Sequence, residues 1–239
     1  MGTAAVGGAV TREPAGSTVP ARPHALVPGS VGILGGTFDP IHYGHLAIAE
    51  EVREVLGLQR VLFVPAGVPP HKPGRVIAPA EHRVAMVELA IAGNPAFELS
   101  RLEVDRPGPS FAVDTLDQLV AAARATGREA AFTFILSAEA FVELQTWRDP
   151  DRLLGLCRMA VVPRAGRRGP GTAWVAGHFP GREDRVTFLD GPEIALSGTE
   201  IRRRVSAGRS IRYLVPDAVI AHIVDHALYS SDPGRDDST

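Results

Sequence analysis

Two periods run along this chain. Short unbroken apolar runs, closed off by Gly, Pro or charge, alternate with longer stretches whose apolar residues return every third or fourth position. The first pattern predicts buried strands and the second predicts helices packed on a sheet. Strands are predicted at 31–34, 60–65, 97–99, 131–136, 158–163 and 186–189. The first helix is predicted at 45–56, where Leu46, Ile48, Ala49, Val52 and Val55 share a face and Gly57 acts as the stop. Others are predicted at 79–92, 113–125, 139–144, 197–207 and 216–228. Strand following helix in this way predicts an α/β fold, a doubly wound parallel sheet with helices on both faces. Ligands of such sheets sit beyond the carboxyl ends of the strands, so chemistry is expected in the strand-to-helix turns.

The two ends differ from this pattern. Residues 1–29 are rich in Gly, Ala, Pro, Ser and Thr, have no apolar period, and lack the cationic start and apolar run of a signal peptide. They are expected to form a disordered tail, as are residues 230–239, leaving a single domain at 30–229. Residues 166–185 read as a Gly/Arg-rich surface excursion without chemistry. No stretch reaches the roughly 18 apolar residues of a membrane span, so no membrane contact and a cytoplasmic location are expected. The chain is 45% hydrophobic and 22% charged, ordinary for a folded globular protein. A net charge of −2 offers no broad basic face to nucleic acid. One cysteine, Cys157, excludes a disulfide framework and a thiolate zinc site. Of the 25 Lys and Arg residues only Lys72 is a lysine. A coding bias toward arginine accounts for that ratio, yet it leaves Lys72 as the one compact point charge on offer.

Two turns carry candidate chemistry. The first reads Gly35-Gly36-Thr37-Phe38-Asp39-Pro40-Ile41-His42-Tyr43-Gly44-His45. Adjacent glycines let a ligand approach the backbone, since no Cβ intrudes. His42 and His45 stand three apart where the helix begins and can share a face. Helix-mouth N–H groups suit phosphate oxygens, and imidazole donors there suit a place where negative charge grows during reaction. No third ligand stands nearby in sequence to suggest zinc, so no protein-held metal is expected. Neither G-x-G-x-x-G nor G-x-x-x-x-G-K-[ST] is present in this turn, so it is neither a dinucleotide fingerprint nor a Walker loop. The second turn reads Ser197-Gly198-Thr199-Glu200-Ile201-Arg202. Ser197 or Thr199 can cap the helix that follows, and Arg202 reaches back over the same end with a planar fork suited to phosphate. Alone this is a capping pattern; its pairing with the first turn gives it meaning.

The two turns resemble the H-x-G-H and S-x-T-x-x-R signatures of the nucleotidyltransferase superfamily. Within it, residues 31–229 are similar to the bacterial nicotinate-nucleotide adenylyltransferases. Further matches are VPAGVPPHK (64–72), AEHRVAMVELAI (80–91), RPGPSFAVDTL (106–116), TWRDPDRLL (146–154), VVPR (161–164) and IRYLVPDAVIAHI (211–223). The resemblance implies a Rossmann-like sheet and transfer of AMP from ATP to nicotinate mononucleotide. The products would be deamido-NAD and pyrophosphate, with Mg2+ accompanying the ATP phosphates. His42, His45 and Arg202 are implied as catalytic groups. The ATP site would add Gly35, Gly36, Thr37, Phe38, Glu139, Arg164, Ser197 and Thr199. Lys72 and Arg83 would meet the substrate phosphate, Trp147 would stack on the pyridine, and Ser110, Phe111 and Ala112 would offer backbone groups to its carboxylate.

The chemistry agrees with that reading. The nucleophile is a phosphate, ionised near pH 7, so neither a general base nor a covalent intermediate is needed. Positioning and charge neutralisation remain for the protein to supply. Two departures from the family pattern stand out. Ser137-Ala138-Glu139 replaces the usual Gly-x-Asp, and Phe111-Ala112 replaces a common Tyr-Thr. Other readings are an adenylyltransferase for nicotinamide mononucleotide or another phosphate ester, and a nucleotide-binding regulator without turnover.

Overall fold

The computed structural model describes residues 29–70, 77–127, 131–163, 169–192 and 194–230. Its frame is six strands: β1 (Ser30–Gly36), β2 (Arg60–Pro65), β3 (Phe97–Leu99), β4 (Ala131–Ser137), β5 (Arg158–Val162) and β6 (Val186–Phe188). They lie in the order β3-β2-β1-β4-β5-β6, and every neighbouring pair is parallel. Strand order therefore runs outward in opposite directions from β1 and β4, which makes the gap between their carboxyl ends the switch point where ligands bind in such sheets. The helices are α1 (Tyr43–Val55), α2 (Ala80–Ile91), α3 (Ala112–Ala125), α4 (Ala138–Val142), α5 (Pro150–Leu156), α6 (Thr172–His178), α7 (Gly198–Ser206) and α8 (Asp217–Asp225).

Alternate strand residues feed two cores. Phe63 and Ile135 point to one face, where Val52 of α1, Met86 of α2, Ile201 of α7 and Ile223 of α8 cover them. Ile33, Phe134 and Leu136 point to the other, against Leu116 of α3, Phe141 of α4, Leu153 of α5 and Val175 of α6. Burial on both faces is why the strands read as unbroken apolar runs. Each such side chain contributes about 1.5–3 kcal/mol by leaving water. Cys157 is buried in the second core and its thiol is pushed up to about 12 by that burial, so it is inert.

The structure corrects three expectations. β1 does not end at Leu34, because its pairing with β2 continues to Gly36 opposite Pro65; the two glycines close the strand instead of forming a turn. α5 was not predicted, although Asp149 accepts a hydrogen bond from the Arg152 N–H and Pro150 opens the first turn. α6 lies inside the stretch read as a surface excursion, where Val175 and Phe179 are buried and Trp174 packs 5.2 Å from Phe141. Two apolar anchors among glycines and arginines are too few to show a period. The expected tails fall almost entirely outside the described residues, as do Lys72 and Arg164. No described helix is long and apolar enough to cross a membrane.

Candidate active site

Two chambers open at the switch point and share Thr37, His42 and His45. The smaller, about 230 Å³, lies between the start of α1 and the start of α7. The larger, about 420 Å³, runs past the ends of β1 and β4 toward the start of α3.

His42, His45 and Arg202 all line the smaller chamber, with Ser197 and Thr199 beside them. His42 is the N-cap of α1 in extended conformation, and His45 is the third residue of that helix. The His42 backbone N–H donates to His45 Nδ1 at 3.2 Å. That bond makes Nδ1 the acceptor, so a neutral His45 carries its proton on Nε2 as a donor for a ligand. The two rings stack with centroids 3.7 Å apart, and Phe38 meets His45 edge-on at 5.0 Å. A Cβ on Gly44 would lie 3.0 Å from His42 Nδ1, which explains the glycine between the histidines. Phe38 itself is buried at a φ of 50°, a left-handed conformation that costs about 1–2 kcal/mol in a residue with a Cβ. Its ring is a packing group, leaving backbone for the ligand.

Asp39 ties the first turn to the second. Its Oδ1 accepts from the Ala78 N–H at 3.1 Å and from the Tyr229 hydroxyl at 2.7 Å. Burial and the adjacent Asp39 carboxylate push the Tyr229 hydroxyl well above its usual range, so it stays a donor. Arg202 donates from Nη1 to the Asp39 carbonyl at 2.6 Å and from Nη2 to Thr199 Oγ1 at 3.2 Å. Its guanidinium also lies 3.4 Å from Asp39 Oδ2. Ser197 caps α7 by accepting from the Glu200 N–H at 3.2 Å. A Cβ on Gly198 would come within 2.7 Å of the Asp39 carbonyl oxygen. Glycine here lets α7 rest directly on the first turn.

The larger cleft has a different character. Gly35, Gly36, Ser137, Phe111, Ala112 and Trp147 line it, and Trp147 meets Phe134 edge-on at 5.9 Å. Arg148, which sequence reasoning passed over, also lines the cleft, with its guanidinium 4.9 Å from the Phe111 ring centroid and 3.3 Å from Asp114. Ala112 is the first residue of α3, so its N–H and the next two have no acceptor within the helix and suit an anion. Glu103 was missed as well. It is a buried carboxyl lining the cleft, it accepts from Thr115 Oγ1 at 2.6 Å, and burial raises its pKa against the pull of Thr115 and Arg106. Nothing in its sequence neighbourhood marks it as buried.

Two expected roles need correction, those of Arg83 and Ser110. Arg83 is 1% exposed. It donates to the carbonyls of Ala78 at 3.0 Å, Thr37 at 2.8 Å, Ala66 at 2.6 Å and Gly67 at 3.2 Å. It holds loops together and is not turned toward a substrate phosphate. Burial lowers its pKa while Asp39 opposes the shift. Ser110 spends its N–H on the Val68 carbonyl at 2.9 Å, and its Oγ accepts from the Gly67 N–H at 2.9 Å. The backbone donors left for a carboxylate are therefore those at the start of α3. Glu139 lines neither chamber, whereas Ser137 and Ala140 around it do. Ser137 replaces the family glycine to a purpose: its Oγ accepts from the Ala140 N–H at 3.2 Å and caps α4.

A polar chamber between two helix mouths, opening from the switch point of a parallel sheet, is the architecture of a nucleotidyltransferase. The Cytidylyltransferase-like family model matches residues 33–204. The chain is 51% identical over 199 residues to the "Probable nicotinate-nucleotide adenylyltransferase" of Roseiflexus sp. (strain RS-1), covering 83% of this chain and 97% of that protein. The protein of the same name from Thermomicrobium roseum is 44% identical, over 83% of this chain and 91% of its own length. The solved structure "Plasmodium falciparum nicotinic acid mononucleotide adenylyltransferase complexed with NaAD" superposes with a TM-score of 0.66 at 18% identity, covering 84% of this chain and 97% of that one. That likeness shows a shared fold. The chain belongs to the cytidylyltransferase-like family and, within it, to the nicotinate-nucleotide adenylyltransferases.

Proposed function

We propose that the protein transfers AMP from ATP to nicotinate mononucleotide, forming deamido-NAD and releasing pyrophosphate. The observation that carries this reading is the junction of the chambers at His42 and His45. The polar chamber, with Arg202 and the start of α7, suits a triphosphate; the apolar cleft suits the rings. Attack on the α-phosphate then falls where the two meet. His45 Nε2–H and its stacked partner His42 stabilise charge on the phosphate oxygens as it develops. Arg202 and the α7 N–H groups receive the departing pyrophosphate. The attacking phosphate needs no base.

Mg2+ enters with ATP as part of the substrate. Among the described residues of the polar chamber Asp39 is the one carboxylate; its Oδ1 accepts two hydrogen bonds, and its Oδ2 has no hydrogen-bond partner but lies 3.4 Å from the Arg202 guanidinium. The donor set fits an ion held by ATP phosphates and water, as this small hard cation prefers. A cytoplasmic site of action follows from an intracellular substrate pool.

Acid is favoured over amide because N–H groups at the start of α3 pair with a carboxylate but would face the NH2 of an amide. Pyrophosphate release from ATP, measured with each mononucleotide, tests the whole reading. Nicotinate mononucleotide should win by at least roughly 10²-fold in kcat/KM. A preference for the amide would reverse the substrate assignment. Binding of both nucleotides without pyrophosphate release would make the protein a regulator.

A further inference from the structure

Three histidines that line neither chamber meet at the seam between α2 and α8. His82 lies in the first turn of α2, His222 in α8, and His226 at its C-terminal cap. We propose that His82, His222 and His226 bind one divalent transition-metal ion of the zinc class. Their candidate ligand nitrogens all lie within 4.8 Å of one another. A tetrahedral ion with bonds of about 2.0–2.1 Å to nitrogen sets its ligands roughly 3.3 Å apart. His82 Nδ1 and His222 Nε2 are already 3.2 Å apart. His222 and His226 stand four apart on one face, the spacing by which paired helical histidines chelate zinc, and their rings stack at 4.2 Å.

The ring states also favour an ion. His226 Nδ1 donates to the His222 carbonyl at 3.0 Å, which leaves the lone pair on Nε2. His226 is exposed, so a ring rotation closes the remaining gap without disturbing the core. The carbonyl end of α8 carries partial negative charge and draws a cation to this spot. Water completes the fourth position. Mg2+, which demands oxygen ligands, is a poor fit, so this site is separate from the magnesium that travels with ATP.

The location gives the ion a structural consequence. Arg83, next to His82, donates to the Thr37 carbonyl at 2.8 Å, and Tyr229, just beyond α8, donates to Asp39 at 2.7 Å. An ion pinning α2 to α8 therefore tightens both braces of the first turn from outside. His82 and His222 are 140 residues apart, so no sequence spacing points to this cluster.

The test uses the untagged full chain, stripped with a chelator and titrated with Zn2+ alone by calorimetry and thermal melting. One ion should bind per chain, and at a hundredfold excess over Kd the Tm should rise by about 5–10 °C. Co2+ in its place should show the ligand-field absorption of a nitrogen-ligated ion, and excess Mg2+ should displace neither. His226→Gln should weaken binding at least tenfold, and His222→Gln with His226→Gln should abolish it. Both variants should still release pyrophosphate without Zn2+, which confirms that they fold. Absence of saturable binding at micromolar Zn2+ would overturn the site. So would unchanged stoichiometry and affinity in His226→Gln.

Discussion

The two chambers are built on opposite plans. In the phosphate chamber the functional side chains are held by partners distant in sequence: Arg202 by the Asp39 carbonyl, Asp39 by Tyr229 and Ala78. In the ring cleft the walls are Trp147, Phe134 and Phe111, placed by packing against neighbours in the second core. On the proposed reaction, the difference follows from what each must do. Charge that appears only in the transition state rewards donors fixed beforehand, because no reorganisation is then needed at the moment of reaction. A flat ring needs area and shape, which packed apolar side chains supply. Substitutions in the phosphate chamber should therefore act on kcat, and those in the cleft on KM.

The sharpest break of that contrast is His45→Ala. It should lower kcat by roughly 10²–10³ with KM for nicotinate mononucleotide little changed, read by steady-state pyrophosphate release. A near-normal kcat would remove the imidazoles from the mechanism. Next comes Arg83→Met, which orphans four carbonyls around the shared turn. Unfolding in urea should show a loss of about 3 kcal/mol; a loss under about 0.5 kcal/mol would mean that the loops do not depend on Arg83. Gly198→Ala forces α7 away from the Asp39 carbonyl. A misplacement of that size should cost roughly 10–100-fold in kcat, while binding of the mononucleotide, titrated without ATP, stays as it was. Equal damage to both would mean that the chambers are not separable. The smallest effect belongs to Trp147→Ala, expected to raise KM for the mononucleotide roughly 3–10-fold with kcat within about twofold. A larger fall in kcat than in affinity would place the ring wall in the chemistry.

The same contrast explains what could be read from the chain. The strands were legible because both faces of the sheet are buried, and the meeting of the two turns because imidazoles, a guanidinium and glycines gather at two helix mouths that line one chamber. The braces were not legible. Tyr229 and Asp39 meet across 190 positions, and no local pattern announces such a pair. Gly44 and Gly198 have reasons that appear only once a ring and a carbonyl oxygen are in place. Arg83 offered a clue that was passed over: it sits in a helix whose neighbours Val84, Met86 and Val87 are all core residues. Ser110 was expected as a ligand from the likeness of its RPGPSF segment to the family, yet its own hydrogen bonds go to Gly67, Val68 and Glu103.

The bond between Arg202 and Asp39 spans 163 positions, and this has a consequence for the newborn chain. On the ribosome the imidazoles emerge early, with the sheet's central strand, while the guanidinium and the tyrosine that steadies its partner emerge almost last. Until the final helices dock, the imidazoles stand without the guanidinium that completes the polar chamber. Premature termination anywhere before α7 thus yields a fragment with one wall of that chamber missing.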